Sequence, residues 1–400
     1  MPSVFAWVDF AEEDRRKMAE VINLFREQDT RDELGLGVIR DALADLMFPG
    51  TSTIQTRARY FLFIPWIYRR LEERGVARSE IARRARADEI SLIKALQAGD
   101  ESDGVIGIEK QVELQRLASS IYWAGLGVWR IKRFRGSQEQ YHRAWESILQ
   151  RYKSPLVDDD REPLDDSTLL TWDPDLPEPP PDFLSTAEFA LRKNEAEYLQ
   201  DRIRGLGPTL LGHLVSDGNL ASDSDFAWAH SEVATFPQPL RNQLEHARFF
   251  SEAMHGAALL YNLLLAESRK SVGWIETYRQ RMGSWTVLMI GREQAFQSWS
   301  RDSFWSLVES TQARVSLPTR RFVNDWLDLA LGTSPAQLVE ATRARNLVRD
   351  RERALKGARA RIGNARALEL WNGKSGSQQL NYRWPRARTI AGDVLRGLSA

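Results

Sequence analysis

Two Glu-x-x-His pairs, Glu139-Gln-Tyr-His142 and Glu252-Ala-Met-His255, have the spacing that sets both side chains on one face of a helix. Carboxylate-bridged di-iron bundles use that spacing, so metal-dependent chemistry is the first to weigh. With 29 glutamates and 5 histidines in 400 residues, the pairs also arise by chance. The first follows Gly136-Ser137 in a polar stretch and reads as a solvated helix start. His255 reads as a core histidine, hydrogen-bonded where helices meet. No metal or cofactor is expected, and no catalytic residue is named. Walker, Gly-x-Gly-x-x-Gly, His-Glu-x-x-His and Gly-x-Ser-x-Gly motifs are absent. Gly125-Leu-Gly127 lacks a third glycine and reads as a helix end. The absence of cysteine excludes disulfides, thiolate zinc sites and Cys nucleophiles together.

Phosphate binding has more to build on. The chain carries 55 basic and 55 acidic residues, but residues 341–400 hold 14 Lys or Arg against 4 Asp or Glu. That is a net of +10, leaving the first 340 residues at −10. Arginine supplies 46 of the 55 basic residues, a bias that a GC-rich genome also produces. On a helical projection Arg345, Arg349, Arg353 and Lys356 share one face, with Ala344, Leu347, Val348 and Leu355 on the other side. Such a stripe would neutralise several phosphates. Arg359, Arg361, Arg366, Lys374, Arg383, Arg386 and Arg388 follow, interleaved with Trp371, Tyr382 and Trp384, whose rings could stack on bases. The competing account is a solvated face with the aromatics in a small core. A second cluster, Arg130, Lys132, Arg133 and Arg135, follows Tyr122-Trp123 and Trp129, which read more readily as packing. Residues 79–93 have a faint helix-turn-helix cadence without the turn glycine. The segment Thr51 to Arg59 could hold an anion at a helix start, although capping alone explains its hydroxyls.

The elements that must position these residues are helices. The 42% apolar content suits packed cores, and no run approaches the 18 apolar residues of a membrane span. The N-terminus lacks a basic stretch followed by an apolar one, so a cytoplasmic location is expected. Asp9-Phe-Ala-Glu12 has capping-box spacing before Met18, Val21, Ile22 and Phe25, an amphipathic pattern. A second helix carries Ile39, Leu43, Leu46 and Met47 and stops at Phe48-Pro49-Gly50. A third spans Tyr60 to Tyr68, kinked at Pro65; a fourth runs from Ser79 to Gly99, and a fifth from about Glu109 to Ala124. Residues 154–186 are acidic and proline-rich and read as a linker. Helical periodicity resumes at Ala187, and Arg241 to Glu267 is a long apolar helix to be buried on more than one side. Ser334 and Pro335 would open a further helix. The expectation is a mainly α chain: an N-terminal helical domain (1–153), the linker, a helical domain (187–333) and a basic helical module (334–400). No internal repeat of 20 to 50 residues is present.

Several strings, Phe5-Ala-Trp-Val-Asp-Phe10, residues 48–60, Ser120-Ile-Tyr-Trp123, His255 to Asn262 and Tyr382-Arg-Trp384, resemble an uncharacterised bacterial domain-of-unknown-function family. The resemblance spans the chain. It implies a setting beside helicase and phospholipase-D-like genes of phage defence, and it implies no catalytic residues. The expected function is a non-catalytic accessory subunit of such a defence system. It would bind the DNA or RNA backbone and other defence proteins, a helicase among them, and no membrane. The expected contacts are Arg345, Arg349, Arg353, Lys356, Arg359, Arg361, Arg383 and Trp384, with Arg130, Lys132 and Arg133. The alternatives are a metal-dependent enzyme such as a nuclease, and a pure protein scaffold.

Overall fold

A computed structural model describes residues 32–108, 114–153, 171–217, 224–332 and 335–400. The helices, in chain order, begin with α1 (Gly37–Met47), α2 (Tyr60–Glu73), α3 (Ile81–Ala98), α4 (Ala118–Val128), α5 (Gln138–Arg143) and α6 (Trp145–Lys153). Next come α7 (Lys193–Arg204), α8 (Leu210–Asp217), α9 (Gln238–Ser268), α10 (Val272–Gly291), α11 (Glu293–Ser298) and α12 (Arg301–Ser310). The last are α13 (Leu317–Gly332), α14 (Pro335–Leu338), α15 (Thr342–Lys356), α16 (Ala365–Glu369) and α17 (Trp384–Leu398). Among the described residues there is no strand, only an isolated bridge between Lys132 and Trp172. The chain is all-α. No helix among the described residues is long and apolar enough to cross a membrane.

The helices form two compact units that interleave along the chain: residues 1–43 with 241–382, and residues 44–240 with 383–400. The linear division expected from the sequence, with boundaries at 154–186 and 334, does not follow that interleaving. Contacts between distant segments, which charge and proline content do not report, set the grouping.

In the second unit α2 packs against α3 and α4, and α17 packs against α7 and α8. Helix α2 buries nearly every side chain, Pro65 included, and Pro65 withholds only the amide that would have met the Phe61 carbonyl. Thr51 does not cap it: its hydroxyl donates to the Phe48 carbonyl at 2.7 Å. The fourth and fifth expected helices begin later, at Ile81 and Ala118. Residues 81–98 form one continuous helix, so no helix-turn-helix arises there. Gly125 and Gly127 lie in the last turn of α4, which ends at Val128, as the sequence reading expected. A Cβ on Gly125 would stand 2.3 Å from the Gly50 carbonyl oxygen, so glycine is required for close approach.

The described part of the expected linker, residues 171–185, is packed. Trp172, Asp173 and Leu176 are buried, Trp66 donates its indole N–H to the Pro177 carbonyl at 2.6 Å, and Phe183 lies on Phe63 and Trp66. Residues 187–191 are not helical, with Ala187, Phe189 and Leu191 buried and Glu188 and Ala190 exposed, before α7 begins at Lys193.

In the first unit α9 is the strut. Phe249, Phe250, Ala253, Leu259, Leu260, Leu263 and Leu264 are all buried, covering more than one face. Helix α13 packs on α15, and α10 on α14. Asp32 prepares the start of α1 by accepting from the amides of Leu36 and Gly37 at 2.6 and 2.7 Å. The capping box at Asp9 and the residue Ser334 lie outside the described residues; α14 does open at Pro335.

Candidate functional site

Helix α15 inherits its amphipathic pattern from Ala344 and Val348, both fully buried. The basic stripe lies along the flank between that buried side and solvent, where some cations meet internal carboxylates. Arg345 pairs with Glu267, donates to the Val339 carbonyl at 3.1 Å and lies 3.7 Å from Glu340. Lys356 pairs with Glu33, reaches Glu352 at 3.1 Å and the Tyr261 hydroxyl at 2.9 Å. Arg361 donates to Glu33 at 2.8 Å and to Ser375 at 2.9 Å. Glu352, fully buried, accepts from Tyr261 at 2.6 Å and from the amides of Arg361 and Ile362 at 2.9 Å each.

Two carboxylates and two cations therefore close a balanced network inside the first unit. Burial pushes Glu33 up, but the charges of Lys356 and Arg361 hold its carboxyl below the usual range. Burial likewise opposes Glu352, and the Tyr261 hydroxyl, two amides and Lys356 bring it down. Arg351 fastens the same region by donating to the Leu34 carbonyl and Thr319 at 2.8 Å each. The Glu352–Lys356 spacing was visible as an i, i+4 pair. Glu33, Tyr261 and Ser375 carried no signal, because each reaches the network from a distant segment.

Other cations of this stretch keep free heads. Arg349 donates only to Asn346, at 2.7 Å. Arg343, Arg353, Arg359, Arg366 and Lys374 are exposed, and among the described residues their side chains make no hydrogen bond or ion pair. Asp350 and Glu369 are the exposed acids in the same stretch. The excess of positive charge seen in the sequence thus survives folding at these five positions.

The remaining expected contacts belong to the second unit. Arg383, in the left-handed conformation at φ 68°, donates to Asp45 and to the Thr51 carbonyl. Trp384 is 1% exposed and donates its N–H to the Ser224 carbonyl, so it offers no face to a base. Trp371 and Tyr382, in the first unit, are equally buried. Lys132 is buried, donates to the carbonyls of Phe134 and Gly136 at 2.8 and 3.0 Å, and lies over the Trp123 ring. Arg133 pairs with Asp173 at 3.0 Å, while Arg130 is exposed. Tyr122, Trp123 and Trp129 are core. The turn from Thr51 to Arg59 does receive an anion, but from within the same unit. The buried Asp393 carboxylate accepts from the Ala58 amide at 2.9 Å and from Arg57 at 3.0 Å.

Among the described residues neither Glu-x-x-His pair is joined by further metal-ligating side chains. Glu139 pairs with Arg143, and Ser137 caps α5 through a capping box. Glu252 is held by Arg248 at 2.7 Å and by Arg292 at 3.1 Å. Among the described residues no group of three or more His, Asp or Glu side chains could hold a metal ion. His255 is half-buried and meets the carbonyl of Ser377, in a non-helical segment, through Nε2 at 3.2 Å, so it is not the core histidine at a helix contact that was expected.

A family model covers residues 2–396, essentially the whole chain. The chain belongs to DUF6361, a family of unknown function. Membership agrees with the resemblance carried by the strings at residues 5–10, 48–60, 120–123, 255–262 and 382–384, and it brings no catalytic residues with it. No curated protein and no solved structure matches the chain.

Proposed function

We propose that this DUF6361 chain is a non-catalytic accessory protein of a bacterial defence system that holds nucleic acid by its phosphates. The contact surface would be the free cations between Arg343 and Lys374. One observation carries the reading: folding neutralises Arg345, Lys356 and Arg361 internally, yet among the described residues Arg343, Arg353, Arg359, Arg366 and Lys374 have no side-chain partner. Guanidinium groups on a helix flank and the following loop are suited to phosphate oxygens, and sequence preference would be weak because phosphate contacts carry no base information. A cytoplasmic location goes with this reading.

The test is fluorescence anisotropy on a labelled duplex at low salt, comparing the protein with a variant carrying Arg353→Ala, Arg359→Ala and Arg366→Ala. Among the described residues these side chains make no internal bonds, so the variant should fold normally and bind much more weakly. Absence of binding by the unmodified protein overturns the reading. A pure scaffold is the second reading, favoured by the exposed Val287 and Ile290 on α10, which offer a protein partner an apolar face.

A further inference from the structure

A row of polar side chains in the second unit is joined end to end inside the packing of α2, α3, α4 and α5. Glu89 on α3 is buried and accepts from the Ser119 hydroxyl at 2.6 Å and from the Ser119 amide at 2.9 Å. Ser119, near the start of α4, is itself fully buried. The Gln138 carboxamide, at the start of α5, lies 2.8 Å from the Ser119 hydroxyl and 2.6 Å from the Tyr68 hydroxyl on α2. The row ends at His142 on α5, half-buried, whose Nε2 is 3.2 Å from the same Tyr68 hydroxyl.

Hydrogen-bond chemistry sets the direction of every proton in this row. An ionised Glu89 can only accept, so the Ser119 hydroxyl donates to it and must itself accept from Gln138. Gln138 therefore presents its NH2 group and donates to both hydroxyls. Tyr68, accepting from Gln138, donates to His142, whose Nε2 is then bare and whose proton sits on Nδ1. A proton from water on Glu89 reverses the order. The Ser119 amide can only donate and holds Oε2, so the new proton enters Oε1 and points at the Ser119 oxygen. The Ser119 proton then turns to Gln138, whose amide turns over and presents Oε1 to both hydroxyls. In the starting arrangement that Oε1 makes no hydrogen bond among the described residues, so nothing there opposes the turn. The Tyr68 proton also swings to Gln138, and the Tyr68 oxygen accepts from Nε2–H. His142 takes the Nε2 proton from water and returns its Nδ1 proton to water. The net uptake is the one proton on Glu89, and the two hydroxyls rotate without losing theirs.

We propose that Glu89, Ser119, Gln138, Tyr68 and His142 form a proton relay, in which a proton on the buried Glu89 switches the His142 proton from Nδ1 to Nε2. Burial pushes the Glu89 carboxyl up to about 7, which sets the switch near neutral pH, and burial pushes His142 down, which keeps the imidazole neutral there. The surrounding charges are engaged elsewhere. On α2, Glu72 accepts from the Tyr141 and Thr171 hydroxyls, and the Tyr60 hydroxyl accepts from the Ile106 amide at 3.0 Å. On α3, Arg86 lowers Glu89 less than burial raises it. On α4, the Tyr122 hydroxyl donates to the Arg57 carbonyl at 2.9 Å, and on α5 Glu139 pairs with Arg143. Lys132, over the Trp123 ring, donates to the carbonyls of Phe134 and Gly136. His142 Nδ1 makes no hydrogen bond among the described residues. It is the output of the relay: a donor while Glu89 is ionised, and an acceptor once Glu89 is protonated.

The test reads the imidazole nitrogens of the full-length, nitrogen-15-labelled chain by long-range proton–nitrogen correlation NMR, with His142 assigned by the peaks lost in His142→Gln. At about pH 8.5, where a free imidazole is neutral, the parent should carry the His142 proton on Nδ1. Glu89→Gln, whose amide is a permanent donor to the Ser119 oxygen, should carry it on Nε2 at the same pH. Gln138→Met cuts the relay, so adding Glu89→Gln to it should leave the His142 tautomer as it is in Gln138→Met alone. In the unmodified protein the Nε2–H form should grow in as pH falls through about 7, ahead of the imidazolium. The same tautomer in the parent and in Glu89→Gln overturns the inference, as does a difference that persists in the Gln138→Met background. Should a variant not fold, the unmodified protein decides alone: His142 passing from the Nδ1–H form straight to the imidazolium overturns the relay.

Discussion

Glu89→Gln should stabilise the protein at neutral pH, against the usual direction for a buried substitution. Glu89 on α3 is 3% exposed and accepts from the Ser119 amide at 2.9 Å and the Ser119 hydroxyl at 2.6 Å. No cation stands within ion-pair distance of it among the described residues. Burial pushes its carboxyl from 4.5 up to about 7, and the hydrogen bonds from Ser119 offset this only in part. Because the folded state holds this proton more tightly than the unfolded state, the group favours folding below about pH 4.5. Its contribution declines as pH rises and reaches its full deficit above about pH 7. At about 1.4 kcal/mol per tenfold change in proton affinity, the interval amounts to about 3 kcal/mol. Glutamine preserves the shape: its oxygen keeps the Ser119 amide, and its amide faces the Ser119 hydroxyl, which then accepts. Urea unfolding from pH 5 to pH 8 should show the variant gaining up to about 3 kcal/mol over the parent at pH 8, and less than about 1 kcal/mol at pH 5. An equal loss at both ends of that range would refute the reasoning, since it would make Glu89 a structural acceptor with no buried-charge cost.

Three further outcomes are measurable by denaturant unfolding. Leu260→Ala, fully buried on α9, should cost about 2–5 kcal/mol, and a loss below about 0.5 kcal/mol would contradict its burial. Gly125→Ala should cost about 1–3 kcal/mol, because the new methyl meets the Gly50 backbone oxygen and the Phe61 ring; unchanged stability would deny that contact. Glu352→Gln should cost about 3 kcal/mol at pH 7. Its folded carboxyl is held low, so that contribution is present above the ordinary glutamate range and is lost as pH falls below it. The cost of the substitution should therefore shrink under acid conditions, and a pH-independent cost would rule out an ionised Glu352.

The helices were legible wherever apolar periodicity ran unbroken, as in residues 37–47, 81–98 and 238–268, because one face of each meets a core. The glycines at residues 125 and 127 marked the helix end correctly, but a local reading could not show that the missing Cβ at Gly125 also admits the Gly50 backbone. Composition misled at residues 171–185, where Trp172, Leu176 and Phe183 are sparse among prolines and acids yet sit at the positions that pack. The basic stripe was correctly visible as one helix flank. What sequence could not reveal was its partial neutralisation, because Glu33 lies more than 300 residues before Lys356. The aromatics at 371, 382 and 384 are spaced like stacking residues, and only burial distinguishes a core ring from a platform.

The central claim is that the free cations, and not the internally paired ones, meet phosphate. The salt dependence of duplex binding measures this most directly. Five phosphates neutralised by Arg343, Arg353, Arg359, Arg366 and Lys374 would give a slope of log K against log salt of about −4.5, each Arg→Ala reducing its magnitude by about 0.9. Lys356→Met and Arg345→Ala, whose charges Glu33, Glu352 and Glu267 already occupy, should leave the slope unchanged. A slope near zero, or one that responds to Lys356 and Arg345 but not to Arg353 and Arg359, would contradict the account.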